Sequence, residues 1–241
     1  MGSLLTNTEK FEKQGFTILP NTFSQKVLTE VSKRIDDYLH SKEEEPNKAF
    51  FAIRNLFIQI PELADLIVTP EFKKLVKAYA GESHFITKAI YFSKPKEQNW
   101  FVSYHQDLSI NLKDRNDGLV YKNWIQRDLG YSVNPDKHIL ERTITFRIHL
   151  DPCDETSGAL KVLSGSHISG VRKVESIKKE DFTEEMCCAN SGDVLLMKPL
   201  LFHSSNRTVK PNRRRIIHIE LCNQELKNNL EWLERINIEY D

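Results

Sequence analysis

Cysteine is scarce in this chain, with four among 241 residues: Cys153, Cys187, Cys188 and Cys222. Two are adjacent, and none forms a Cys-x-x-Cys pair. So sparse a set excludes a dense disulfide framework and reads as reduced thiols in a cytoplasmic protein. An excess of one charge is also missing, because 34 Lys and Arg balance 34 Asp and Glu. That balance argues against the basic footprint of a nucleic-acid or membrane-surface binder. No apolar run approaches the ~18 residues of a membrane span, and no basic-plus-apolar leader opens the chain. Met1-Gly2-Ser3-Leu4-Leu5-Thr6 matches the loose myristoylation pattern, which is too short to carry an expectation of a lipid anchor. Glycine and proline number nine each and are scattered. No linker or repeat divides the chain, and a single domain over 1–241 is expected.

What is present suffices for a globular core: 39% hydrophobic and 28% charged residues. The first 80 residues read mainly as helix. Val27, Leu28, Val31, Ile35, Tyr38 and Leu39 share one face at helical spacing, with Ser24 as the cap. The run Lys42-Glu43-Glu44-Glu45 reads as a solvated loop. Thr69-Pro70-Glu71 is a second start signal, followed by the stripe Phe72, Leu75, Val76, Tyr79 and a closing Gly81. Beyond Gly81 the apolar period changes to two. Strands are expected at 85–93, 101–110, 143–150, 159–163, 193–197 and 215–221. Helices followed by many short strands indicate an α+β chain, mainly β in its core, with a sandwich or barrel. The stretch from Asn111 to Glu141 reads as long and irregular, and a lid is the expectation.

Tyr104-His105-Gln106-Asp107 is the sharpest local feature. On a strand, His105 and Asp107 point the same way and can offer two ligands to one metal. A surface His-Asp hydrogen bond is the plain alternative. His203 follows the buried run at Val194–Met197 and needs a partner for its ring, either a metal or a backbone carbonyl. Arg214 shares a face with Ile216, His218 and Glu220, while Arg213 and Arg215 face away. An inward arginine calls for an anion, and guanidinium grips a carboxylate through two hydrogen bonds. Two histidines and a carboxylate leave three positions open on an octahedral iron. A bidentate 2-oxo acid and dioxygen can fill these, with Arg214 on the acid's far carboxylate and Ser205 beside it.

The sequence closely resembles the phytanoyl-CoA dioxygenase family of Fe(II)/2-oxoglutarate oxygenases. The resemblance runs from Phe11-Glu12-Lys13-Gln14-Gly15-Phe16, like the family's opening strand, to about Leu221. Its motifs are Tyr104–Asp107, Gly158–His167, Gly192-Asp193 through His203, and Arg214. It implies a double-stranded β-helix, a cupin-like jelly-roll barrel at 81–241, with the N-terminal helices packed outside. It also implies His105, Asp107 and His203 as iron ligands and Arg214 as the 2-oxoglutarate anchor, with Gln106 and Ser205 near the cosubstrate. Ser164 replaces the usual proline of the Gly-Ser-His turn, and Arg147 stands where relatives often carry tryptophan, a place from which it can contact 2-oxoglutarate or the substrate. The Lys94-Pro95, Asn99-Trp100 and His105-Gln106-Asp107 opening matches an uncharacterised subgroup. Halogenating relatives lack the carboxylate, so Asp107 makes hydroxylation or a related oxidation the expected outcome, not halogenation.

The expected activity is therefore hydroxylation of a small organic molecule, coupled to decarboxylation of 2-oxoglutarate to succinate with Fe(II) and O2. The rivals are a non-catalytic cupin-like binding module and a metal-dependent isomerase. His167 reads as a structural turn residue, and His40, His84 and His138 carry no supporting context. Trp100, Trp124 and Trp232 read as packing. His149 shares the face of Arg147. Arg147, Lys88 and His218 hint at an acidic group on the substrate, since an inward lysine is costly unless paired. The oligomeric state is not encoded in any pattern above.

Overall fold

In the computed structural model, residues 2–42, 52–94, 101–116, 121–209 and 214–240 are described. Glu43, Glu44, Glu45, Pro95, Asn99, Trp100, Gly118 and Arg213 lie outside them. The first elements are α1 (Gly2–Gln14), β1 (Phe16–Leu19), α2 (Gln25–Ser41) and β2 (Ala52–Arg54). Then come α3 (Leu56–Gln59), α4 (Glu62–Ile67) and α5 (Pro70–Tyr79). Ser24 accepts a hydrogen bond from the Val27 amide, and Thr69 accepts one from Phe72 with Pro70 at the first helical position. Leu28, Val31 and Ile35 of α2 are buried, as are Phe72, Val76 and Tyr79 of α5. Gly81 ends α5 at φ +92°, where its amide bonds the Val76 carbonyl.

Strands follow: β3 (Phe85–Lys94), β4 (Val102–His105), β5 (Ile110–Leu112), β6 (Lys122–Gln126) and β7 (Tyr131–Asn134). After α6 (Lys137–Glu141) come β8 (Thr143–His149), β9 (Leu160–Leu163), β10 (Glu184–Cys187), β11 (Val194–Met197), β12 (His203–Ser205) and β13 (Arg214–Cys222). They form a six-stranded antiparallel sheet in the order β1-β11-β8-β13-β3-β2 and a four-stranded antiparallel sheet, β10-β9-β12-β4. A small third sheet is ordered β5-β7-β6.

The helices cover one face of the large sheet. Phe146 and Ile148 of β8 and Ile217 and Ile219 of β13 join Leu28, Ile35 and Phe72 in one buried cluster. Phe16, Leu195 and Met197 on the other face pack against Leu160, Val162 and Cys187 of the four-stranded sheet. This is why β8 is buried along its whole length. Its alternate residues serve two different layers, apolar toward the helices and polar toward the interior. The core is thus mostly β-sheet, with helices on one side. No helix among the described residues is long and apolar enough to cross a membrane.

Three local expectations change. Phe11 to Gln14 end helix α1, and the strand begins only at Phe16, after Gly15 has turned the chain at φ +82°. The expected strand at 101–110 is two, with 106–109 between them. The described residues of the stretch 111–141 are not irregular: they build β6, β7 and α6. Its Val133, Ile139 and Leu140 pack with Leu112, Leu200, Cys222 and Trp232.

Candidate functional site

A cavity of about 390 Å³ lies between the large sheet and the four-stranded sheet. His105 closes β4, and His203 opens β12 as its direct cross-strand neighbour, with ring centroids 4.2 Å apart. Asp107 lies two residues beyond the end of β4. Its amide bonds the Pro199 carbonyl, and its side chain lies on the side of His105. Asp107 Oδ1 is 3.9 Å from His105 Nε2, and Oδ2 is 3.7 Å from His203 Nε2. Ligating atoms of all three residues lie within 4.8 Å of one another.

The donor set fits a divalent metal. His105 Nδ1 lies 2.9 Å from the Ser103 carbonyl, and His203 Nδ1 lies 2.9 Å from the Leu201 carbonyl. A carbonyl only accepts, so both Nδ1 atoms carry the proton and both Nε2 lone pairs face Asp107. Burial pulls the His203 pKa down to about 4, and the Asp107 charge only partly offsets it. Burial opposes ionisation of Asp107, but His203, His218, His105 and Lys88 outweigh it and hold the carboxyl well below the usual range. Neutral imidazoles and an ionised carboxylate are the forms that ligate. Asp107 Oδ2 is buried with no hydrogen-bond partner, which is costly for a carboxylate oxygen and is answered by a cation.

The large sheet supplies the opposite wall through β13, whose inward residues are Arg214, Ile216, His218 and Glu220. Arg215 points the other way, bonding Asp151 at 2.8 Å beside α2. Lys88 sits opposite Glu220 in register and pairs with it at 2.9 Å, and also donates to the Ser109 carbonyl. His218 completes the chain: Arg147 donates to its Nδ1 at 3.1 Å, so its Nε2 carries the proton toward Glu220, also at 3.1 Å. The acidic partner that Lys88 and His218 called for is therefore Glu220 of this chain. Burial, and then Arg214, lower the Arg147 pKa to about 10, which leaves it charged at neutral pH.

Arg214 is 7% exposed and donates to the Gly158 carbonyl at 2.6 Å. Gly158 is held at φ +74°, and a Cβ there would lie 2.6 Å from the Asn206 carbonyl, so the close approach needs glycine. Arg214, Ser205 and Arg147 all line the cavity. Gln106 does not. Its side chain turns away, donating to the Gly170 and Leu200 carbonyls and accepting from the Arg172 amide. The expectation that Gln106 sits beside the cosubstrate is corrected: neighbours on an extended chain point to opposite sides, and Gln106 takes the side away from His105 and Asp107.

The sequence model of phytanoyl-CoA dioxygenase matches residues 11–216. The chain belongs to the phytanoyl-CoA dioxygenase family. It is an Fe(II)/2-oxoglutarate-dependent oxygenase, using iron, 2-oxoglutarate and O2, and its primary substrate is unidentified. A search of curated protein sequences finds no match. Among solved structures it is similar to EctD from S. alaskensis, crystallised with 2-oxoglutarate and 5-hydroxyectoine. The TM-score there is 0.68 at 17% identity, over 90% of this chain and 75% of the other. It is also similar to SnoK, a non-heme α-ketoglutarate-dependent carbocyclase from nogalamycin biosynthesis (TM-score 0.65, 16% identity, 90% and 83% covered). A third is HygX from Streptomyces hygroscopicus with iron bound (TM-score 0.61, 14% identity, 90% and 85% covered). Identities this low speak to the fold.

Other residues fall as follows. His167 is structural: its Nε2 lies 3.1 Å from the Glu12 carbonyl, and its ring fills the space a Cβ on Gly15 would need. His149 is buried, and burial with Arg147 and Arg214 lowers its pKa to about 4. Gly192-Asp193 is a turn in which Asp193 accepts from the Asn21 and Asn190 amides. Sequence reasoning missed Arg54 and Arg127, which also line the cavity. The only signal for Arg54 was its alternation with the apolar Ile53.

Proposed function

We propose that the protein hydroxylates a small organic molecule at a centre where His105, Asp107 and His203 hold iron(II) and Arg214 with Ser205 holds the far carboxylate of 2-oxoglutarate. One observation carries this reading. An open three-donor set and a buried guanidinium face the same partly closed cavity, the arrangement a bidentate 2-oxo acid with a second carboxylate requires. With 2-oxoglutarate and dioxygen, iron(II) supplies the oxidising power for inserting oxygen into a C–H bond while the oxo acid becomes succinate and carbon dioxide. The protein's own contribution is placement. The Ser103 and Leu201 carbonyls fix both imidazole tautomers, and Asp107 stays ionised. Arg214 sets the orientation of the cosubstrate, and Arg147 adds positive charge beside it. Leu160, Val102 and Ile216 give the cavity apolar walls that limit water.

Asp107 favours hydroxylation over halogen transfer, because its carboxylate takes the position a halide would need. The paired sheets around the cavity support a double-stranded β-helix of jelly-roll type within one domain over 1–241, with segment 111–141 as its lid. The unpaired cysteines, three of them buried, support a cytoplasmic setting. The neutral overall charge supports a small molecule over nucleic acid or membrane as partner.

The test is anaerobic titration of 2-oxoglutarate into the Fe(II)-loaded protein. A metal-to-ligand charge-transfer band is expected. Admission of O2 with a substrate library should then raise succinate formation for a subset of compounds. Iron binding without any such band would favour the isomerase or the non-catalytic binder.

A further inference from the structure

The cavity carries more positive charge than the cosubstrate can use. Five cationic side chains line it, Arg54, Lys88, Arg127, Arg147 and Arg214, against two carboxylates, Asp107 and Glu220. Iron(II) and the two carboxylates of 2-oxoglutarate cancel one another. An excess of three positive charges therefore remains around the cavity, and a field of one sign draws in an anion.

The excess is not spread evenly. Lys88 is committed to Glu220, and Arg147 is engaged by His218. Arg54 and Arg127 are different: both are exposed where they line the cavity, so they stand on its solvent side, and no side-chain hydrogen bond or ion pair joins either guanidinium to a protein group among the described residues. Their position follows from the strand registers. Arg147, His218, Ile90 and Arg54 are cross-strand neighbours in one row over β8, β13, β3 and β2. Arg214 lies four residues up β13 and two strands away from Arg54. At ~3.4 Å per residue and ~4.8 Å per strand their Cα atoms are roughly 16 Å apart. Arg127 reaches the cavity from the small sheet, just past the end of β6. Asn55 and Asn111 lie beside this end, joined by a 3.4 Å hydrogen bond. Partial burial, and then the positive charge of Arg127, hold the Arg54 pKa below its ordinary value. Both guanidiniums line the one cavity, where their like charges repel.

We infer that the primary substrate carries an anionic group, a carboxylate or a phosphate, which binds between Arg54 and Arg127 at the end of the cavity remote from Arg214. Two guanidiniums from different sheets form a clamp for one planar or tetrahedral oxyanion. Such a clamp would fix the distance from the anion to the C–H bond presented at the metal. This inference rests on the iron and 2-oxoglutarate reading above.

The experiment uses the full chain, anaerobic, loaded with Fe(II) and saturating 2-oxoglutarate so that Arg214 is already satisfied. Three probes of similar shape are titrated by calorimetry: benzoate, phenyl phosphate and the neutral benzamide. At least one acid is expected to bind about tenfold more tightly than benzamide, a difference of about 1.4 kcal/mol. Preference for benzoate identifies a carboxylate, and preference for phenyl phosphate identifies a phosphate. The preference should vanish in both Arg54→Gln and Arg127→Gln, whose thermal melting checks that they fold. Equal binding of all three, no binding of either acid, or an unchanged preference in both variants overturns the inference. Absence of a charge-transfer band when 2-oxoglutarate is first added is a separate failure: it removes the underlying reading before any probe is tried.

Discussion

Truncating Arg214 separates cosubstrate binding from metal binding. The side chain is 7% exposed, and one of its five N–H donors is spent on the Gly158 carbonyl. The remaining donors are available to a carboxylate inside the cavity. Removing one partner of a buried charge pair costs ~2–5 kcal/mol. At ~1.4 kcal/mol per tenfold, that is a loss of roughly 30- to 4,000-fold. Arg147 lines the same cavity and stays charged, so it recovers part of the Coulomb attraction. Arg214→Ala is therefore placed toward the lower end, about 100-fold weaker in 2-oxoglutarate. Arg214→Lys keeps the charge but loses the two-pronged geometry and should fall between it and wild type. Iron affinity should not change, because Arg214 touches none of the three donors. The control is Arg215→Ala: Arg215 faces the helices and bonds Asp151, so this variant should lose stability and keep its cosubstrate. Anaerobic titration followed by the charge-transfer band measures the affinity. Wild-type affinity in Arg214→Ala, or an equal loss in Arg215→Ala, would mean that β13 is read in the wrong phase.

His105→Ala, Asp107→Ala and His203→Ala should each weaken Fe(II) binding by more than about a hundredfold, beyond what outer-shell partners contribute, while calorimetric melting still shows a folded protein. Wild-type iron affinity in all three would refute the donor set. Lys88→Met leaves Glu220 buried beside His218 alone and should cost ~3–5 kcal/mol in urea unfolding, with part of the loss restored by adding Glu220→Gln; a loss under about 1 kcal/mol would show that the site relaxes. Burial raises the Glu234 pKa to about 7, although its oxygens accept from the Phe57 and Ala89 amides. The unfolded chain ionises near 4.5 and the folded chain only near 7, so stability should fall by up to about 3 kcal/mol as pH rises across that window. This slope should be absent in Glu234→Gln, and an identical slope in the variant would assign it elsewhere. Amide exchange in 127–132 should slow when 2-oxoglutarate and substrate bind together, with Ile110, Leu112 and Val133 protected throughout; uniform protection of 111–141 in the metal-free protein would argue for a rigid cover.

The parts of the site legible in the sequence are those that depend on one strand at a time. Alternation along β13 puts Arg214, Ile216, His218 and Glu220 on one face, and the cavity is lined by those four. Helix caps at Ser24 and Thr69 are equally local, and both side chains make the expected bond. The small sheet was not legible for a matching reason. β6 is mostly exposed on both sides, so Lys122 to Gln126 show no alternation for a period-two reading to find. Gln106 misled because a motif marks a position in the chain, whereas side-chain direction is set by the backbone around it. Asp107 reaches the cavity even though β4 has ended, and its amide is tied to the Pro199 carbonyl beside β12.

What pairs with what depends on register, and register is a long-range property. Lys88 and Glu220 are 132 positions apart in sequence. Each was visible as an inward polar residue, yet nothing local says that they meet. Taken singly, an inward lysine implies an acidic ligand. Once β3 is aligned on β13, the acid is Glu220, and the lysine is removed from the list of groups awaiting a substrate. The same alignment adds Arg54 to that list, since its strand is laid against Ile90 in the row that holds His218 and Arg147. The positive end of the cavity therefore moves from the sheet's centre to its β2 edge. A search for substrates should follow that shift: acids long enough to reach from the β2 edge to the triad are the compounds to try first, ahead of acids sized to sit against Lys88.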